Sequence, residues 1–217
     1  MLIIFDLDDT LIDTTNSITP FVLKKTLQSL IEHGLKVDNE DASYKKLLEI
    51  DKNSSGSKET VKSFLNSINE EKFYELSLDI MKKISIDDIK IFTLKNAIQV
   101  VQYLSKNNIL AIVTRGDKKF QLTKIKKAGI DPSLFSKIVV VRGKNKGYHY
   151  KKILNDTKMS PEKTYVCGDR VNIDLLPAKK LGCRTIHMKW GRGKNFKKDK
   201  NVDYTIQNLK KLKEILG

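Results

Sequence analysis

The chain reads as an α/β protein with a doubly wound parallel sheet of Rossmann-like type, into which an α-helical domain is inserted. Three observations predict this. A short apolar strand opens the sequence, a long stretch without a convincing strand follows from Ile18 to Lys90, and strand-like and helix-like segments then alternate to the C-terminus. A first strand separated from its sheet partners by an all-helical stretch implies an insertion. The boundaries expected are 1–14 and 92–217 for the α/β core and 15–91 for the helical domain.

Each element has its own signal. Residues 2–5 (LIIF) form a short buried strand that runs into Asp6. In ITPFVLKKTLQSLIEHGL, apolar residues at Phe21, Leu23, Leu27, Leu30 and Ile31 give the stripe of an amphipathic helix, and Gly34 is a stop. ASYKKLLEI, KETVKSFLNSI and EEKFYELSLDIMKKI suggest further helices, with the polar run Lys52–Ser57 between the first two as a loop. Beyond Lys90 come helix KNAIQVVQYLSKNN, strand ILAIVT, helix DKKFQLTKIKKAG, strand KIVVV, helix YHYKKILND, strand TYVCG, helix IDLLPAKKLG and strand RTIHM. The two connections to the insertion, near Asp13–Ser17 and Ile86–Phe92, are short enough to act as hinges.

Bulk properties narrow the function class. The 217 residues carry 41 Lys and Arg against 26 Asp and Glu, a net charge of +15. The charge is uneven: residues 1–91 hold 12 basic and 17 acidic side chains, residues 92–217 hold 29 and 9. An excess of this kind favours anionic partners, either a small phosphorylated substrate or nucleic acid. No run approaches the ~18 apolar residues that span a bilayer, so no membrane partner is expected. The N-terminus lacks the basic-then-apolar order of a secretory leader, and Cys167 and Cys183 lie in strand-like stretches, so a reducing cytoplasm is expected.

In a doubly wound sheet, ligands bind beyond the carboxyl ends of the strands, and those ends carry the chemistry here. The first strand ends in Asp6-Leu7-Asp8-Asp9-Thr10, where extended backbone places Asp6 and Asp8 on one side. Two carboxylates ~4 Å apart repel by roughly 4 kcal/mol at an effective dielectric of ~20. A bound Mg²⁺, which prefers oxygen ligands, is the natural remedy. The second core strand ends in Thr114, then Arg115-Gly116 and a helix start, a setting that suits a phosphate oxygen. The third is followed by GKNKG, with Lys144 and Lys146. The fourth ends in Gly168-Asp169, with Asp174 five residues on.

Together these segments resemble the four motifs of the haloacid dehalogenase superfamily: FDLDDT for DxDxT, the Thr114 strand end, a lysine before a helix, and GDRVNID for GDxxxxD. The resemblance covers about residues 1–14 and 92–217, and the insertion corresponds to the family's helical cap. It implies an Mg²⁺-dependent phosphatase in which Asp6 is the nucleophile and becomes an aspartyl phosphate. Asp8 would serve as acid and then base, Thr114 would bind the phosphoryl group, and a lysine would neutralise it. It further implies that Asp6, the Asp8 main chain and Asp169 hold the metal, with Asp174 in support, and that Thr10, Arg115, Gly116 and Lys146 contact substrate. The third motif departs from the family's Lys-Pro; gap-free counting back from Gly168-Asp169 selects Lys144 over Lys146. A carboxylate at position 8 argues against the dehalogenase branch. Phosphonate cleavage, a phosphomutase, a nucleotide or nucleic-acid-end phosphatase, and a catalytically silent nucleic-acid-binding protein are the alternatives that the residues leave open.

Overall fold

In a computed structural model, described for every residue except Lys144 and Lys198, the chain forms two compact units: Met1–Thr14 with Lys90–Gly217, and Thr15–Ile89.

The first unit is built on six parallel strands: β1 (Leu2–Phe5), β2 (Ile109–Arg115), β3 (Lys137–Val141), β4 (Thr164–Gly168), β5 (Arg184–Met188) and β6 (Tyr204–Ile206), in the order β3-β2-β1-β4-β5-β6. The expected doubly wound α/β core is therefore present. Parallel strands covered on both faces read as continuous apolar runs, and every residue of β1 is fully buried. Alternation sends Leu2 and Ile4 to one face, where they meet Ala111, Val113, Val166, Tyr150, Ile153, Val171 and Leu175, while Ile3 and Phe5 face the other way. The strand order reverses between β1 and β4, whose register aligns Phe5 with Cys167. Their carboxyl ends, at Asp6 and Asp169, therefore flank the switch point at which such sheets bind ligands.

The intervening helices are α6 (Ala97–Leu104), α7 (Lys118–Lys127), α8 (Lys146–Thr157), α9 (Leu176–Lys179) and α10 (Leu212–Leu216), after α1–α5 of the insertion. α7 and α8 begin at side-chain caps: Asp117 accepts from Phe120 N at 3.0 Å, and Asn145 accepts from Tyr148 N at 3.2 Å. The helix expected over IDLLPAKKLG is not regular. Val171–Leu175 form a π-helical turn, and α9 is a single turn. Cys167 lies in β4 and Cys183 just before β5; both are buried free thiols.

The second unit is helical, as expected: α1 (Thr14–Ser17) leads into it, followed by α2 (Thr19–Glu32), α3 (Glu40–Asp51), α4 (Ser57–Asn66) and α5 (Tyr74–Lys83). Leu23, Leu27 and Leu30 of α2 meet Leu47 of α3 and Val61, Phe64 and Leu65 of α4. The buried stripe of α2 is centred on Val22 and Leu23, with Phe21 and Ile31 only half-buried. Gly34 ends the helix at a φ of 96°. Asp51 and Thr60 join α3 to α4 through a buried 2.7 Å hydrogen bond. No described helix is long and apolar enough to cross a membrane.

Candidate active site

β1 delivers Asp6 to the rim and holds it there through its backbone, since Asp6 N donates to Cys167 O at 2.9 Å. The chain then turns tightly: Leu11 N and Ile12 N both donate to Leu7 O, at 2.9 and 3.0 Å, and Asp9 takes up a left-handed φ of 54°. This turn buries Leu7 and sets Asp6 and Asp8 in different surroundings.

Asp6 lies in an acidic cluster. The carboxylate oxygens of Asp6, Asp169 and Asp174 come within 4.8 Å of one another, and all three residues are buried. Lys146, the first residue of α8 and itself 1% exposed, joins two of them: its Nζ donates to Asp6 Oδ1 and to Asp174 Oδ1, both at 2.6 Å. Gly168 permits this packing. A Cβ there would lie 2.6 Å from that of Asp174, whose other oxygen accepts from Arg170 N at 2.9 Å. A second close approach holds Asp169: His187 Nε2 lies 3.0 Å from its carbonyl oxygen, and a Cβ on Gly193 would come within 2.1 Å of that oxygen.

Among the described residues, one lysine is bonded into this group of three carboxylates, and Arg170 acts on Asp169 from nearby. Burial, outweighing Lys146 and helped by Asp174 and Asp8, pushes Asp6 up to about 7. Burial, Asp174 and Asp6 likewise raise Asp169 well above the usual carboxylate range. Burial opposes the charge on Lys146, but Asp174 and Asp6 override it and raise the ammonium well above its ordinary value. Buried hard oxygen donors whose charge is under-compensated in this way suit a divalent cation such as Mg²⁺.

Asp8 is held differently. Its Oδ1 accepts from Lys124 Nζ at 2.6 Å and from the Thr14 hydroxyl, and its Oδ2 accepts from Gln121 Nε2 at 2.8 Å. Burial works against its charge, but Lys124, Thr14 and Gln121 hold the carboxyl below the usual range. Gln121 also donates to Thr114 Oγ1 at 2.6 Å, so the second and first motifs are joined through one amide.

The other expected residues are placed as follows. Thr114 is buried at the end of β2. Arg115 is half-buried beside it, and Gly116 makes the turn with a φ of 150°. The Gly116 N–H is taken by Val141 O at 3.1 Å and the first turn of α7 by Asp117. Thr10 is fully buried, and its hydroxyl has no hydrogen-bond partner among the described residues. Lys144 lies outside the described residues. Lys124 and Gln121 were not expected from the sequence.

With this geometry in view, the comparisons with known proteins are informative. The family model for haloacid dehalogenase-like hydrolases matches residues 1–182. The chain belongs to that family. Its relatives within it include the glyceraldehyde 3-phosphate phosphatases of Methanocaldococcus jannaschii, 29% identical over 99% of this chain and 96% of that one, and of Pyrococcus furiosus, 28% identical over 99% and 92%. Among solved structures, a predicted phosphoglycolate phosphatase from Haemophilus somnus superposes with a TM-score of 0.74 at 18% identity, covering 100% of this chain and 97% of that one, a likeness of fold. The expected enzyme class, a phosphatase of the haloacid dehalogenase-like hydrolases, therefore holds. The comparisons lend no support to a nucleic-acid partner.

Proposed function

We propose that the protein hydrolyses the phosphomonoester of a small metabolite through an aspartyl phosphate on Asp6. The observation that carries this reading is the buried cluster of Asp6, Asp169 and Asp174 around Lys146 at the switch point, with Asp8 held apart from it. An anionic nucleophile reaches an anionic phosphate only where positive charge offsets both.

The residues divide the work. The Asp6 carboxylate attacks phosphorus, and the bond from phosphorus to the ester oxygen breaks. Asp8 gives that oxygen a proton, so the alcohol leaves neutral. Asp8 then takes a proton from the water that attacks the phosphorus of the aspartyl phosphate, which releases inorganic phosphate and restores Asp6. Asp8 starts as a carboxylate, and the arrival of a phosphate dianion beside it favours uptake of the proton that the first step needs. Lys146 and the Thr114 hydroxyl are the groups we assign to the phosphoryl oxygens. Asp6, Asp169 and the Asp8 main chain would hold Mg²⁺, with Asp174 anchoring Lys146 and the Asp169 turn. When bound, the ion supplies positive charge that offsets the repulsion between nucleophile and phosphate.

For the substrate we extend the activity of the archaeal relatives: a three-carbon phosphorylated aldehyde or a close analogue. A panel of phosphorylated trioses, hexoses, hydroxy acids and nucleotides, assayed for phosphate release with Mg²⁺, tests both levels. The expected result is the highest kcat/KM on glyceraldehyde 3-phosphate. Preference for hexose phosphates or nucleotides would overturn the substrate assignment, and no turnover of any phosphomonoester with Mg²⁺, Mn²⁺ or Co²⁺ would overturn the reaction.

A further inference from the structure

Helix α7 reaches into the site from the side opposite α8, and it does so with polar residues. Gln121, Lys124 and Ile125 are its buried positions, at 1%, 5% and 2% exposure. A residue three places after another on a helix lies on the same face, so Gln121 and Lys124 present their heads together. A helix face packed on a sheet is ordinarily apolar, and an extended lysine or glutamine side chain loses considerable rotamer freedom on burial. Their hydrogen bonds account for the placement.

Every polar head here has a partner. The Asp8 carboxylate only accepts, so the Gln121 amide must turn its nitrogen to it. That nitrogen has two hydrogens: one meets Asp8 Oδ2 at 2.8 Å and the other meets Thr114 Oγ1 at 2.6 Å. Thr114 thus accepts from Gln121, and its own hydroxyl hydrogen is left to donate elsewhere. Lys124 fixes the remaining Asp8 oxygen at 2.6 Å, together with Thr14. Three donors on two oxygens leave Asp8 a single side-chain orientation. Gly116 makes room for the amide: a Cβ there would lie 3.3 Å from Gln121 Cγ and Cδ.

We propose that Gln121 and Lys124 are positioning residues for the proton-transfer half of the reaction, which aim the Asp8 carboxyl at the leaving oxygen and direct the Thr114 hydroxyl toward the phosphoryl group. This rests on the reading of Asp8 as acid and base. Neither residue needs to touch substrate. Removing either leaves Asp6 and Lys146 intact but lets Asp8 rotate.

A positioning role has a signature that a packing role lacks. An alkyl phosphate needs a proton on its departing oxygen, whereas an activated aryl phosphate leaves without one. Lys124→Met, which keeps the length and removes the donor, should lower kcat/KM, which reports the phosphoryl-transfer step alone, on a triose or glycerol phosphate by ~10- to 100-fold, up to the lower end of what a general acid supplies. On p-nitrophenyl phosphate the loss in kcat/KM should stay under ~3-fold, although kcat falls on both substrates because hydrolysis of the aspartyl phosphate is a shared step. Gln121→Leu should show the same split independently, and it carries the test if Lys124→Met melts early. In Lys124→Ala, added ethylammonium should restore part of the alkyl phosphate rate by filling the vacated volume with an N–H donor. Asp8→Asn serves as the reference for the split. If wild type and Asp8→Asn behave as described while both variants lose kcat/KM equally on the two substrates and ethylammonium does nothing, the residues are merely structural and the inference fails. If Asp8→Asn itself shows no dependence on the leaving group, it is the underlying role of Asp8 that fails.

Discussion

Lys146 and Lys124 are both buried, both lie on helices that follow a sheet strand, and each is bonded to an aspartate of the same short turn. Their effects differ because their company differs. Lys146 meets Asp6 inside a group of three carboxylates, and Asp6 is pushed up to about 7. Lys124 meets Asp8 with two neutral donors beside it, and Asp8 is held low. Asp6 and Asp8 are two residues apart in the sequence, so spacing does not assign their protonation. The number and sign of the neighbours does. The Asp6 side has room for more positive charge, whereas the Asp8 side is already balanced and keeps its carboxyl ionised.

The largest effect should come from the nucleophile. Asp6→Asn leaves an amide in its place, and turnover should fall by ~10⁴-fold or more, the scale seen when a nucleophile is removed; a phosphate-release assay at high enzyme concentration measures the residue. Next comes Lys146→Met. It removes the cation bonded to Asp6 and Asp174 and should cost ~10²-fold in kcat. Lys144→Met, assayed beside it, should cost far less, and the reverse order would move the phosphate-neutralising role back to Lys144.

Smaller effects separate the two sides through stability. Removing one partner of a buried ion pair typically costs 3–5 kcal/mol, so metal-free Lys146→Met should melt well below wild type. Mg²⁺ at ~100 times its Kd should stabilise wild type by ~2.7 kcal/mol. In Asp169→Asn that gain should shrink or vanish, whereas in Lys124→Met it should persist; a thermal-shift titration distinguishes the cases. A control lies away from the site. Asp203 accepts from Thr185 N at 2.8 Å and Thr185 Oγ1 at 3.0 Å and pairs with Lys179. Burial works against its charge, but these partners hold its carboxyl low. Its folded pKa lies below the unfolded one, so its contribution is complete above the ordinary carboxylate range and is lost as pH falls through the folded value. Asp203→Asn should cost ~1 kcal/mol at neutral pH and less as the solution is acidified, with no change in kcat.

The sheet and both ends of the switch point were legible in the sequence for a physical reason. Strands buried on two faces are written as apolar runs, and Asp6 and Asp169 stand where those runs stop. The π-helical turn at Val171–Leu175 has no such signature, because the sequence there keeps the spacing of an ordinary helix. The lysines were harder. Lys144 and Lys146 flank one residue in a loop whose length no periodicity fixes. Asn145 is the cap of α8, which makes Lys146 its first residue. Lys124 and Gln121 were hidden for the opposite reason. The apolar residues of α7, Phe120, Leu122 and Ile125, suggest a face on which Leu122 would be buried, whereas Leu122 is 41% exposed and two of the three buried positions, Gln121 and Lys124, are polar. Lysines are so common in this chain that one more on a helix gives no contrast.

On the mechanism we propose, Asp6 takes the phosphoryl group and Asp8 manages the protons. The most direct test is to trap the phosphoenzyme. Asp8→Asn incubated with an aryl phosphate and Mg²⁺, whose first step needs no acid, should accumulate phosphate on the N-terminal peptide that contains Asp6, as read by mass spectrometry after a rapid acid quench. The label should be absent from Asp6→Asn and should disappear from wild type within its turnover time. Label retained in Asp6→Asn, or phosphate released by Asp8→Asn at the wild-type rate with no labelled peptide at any time, would contradict the division of labour between the two aspartates.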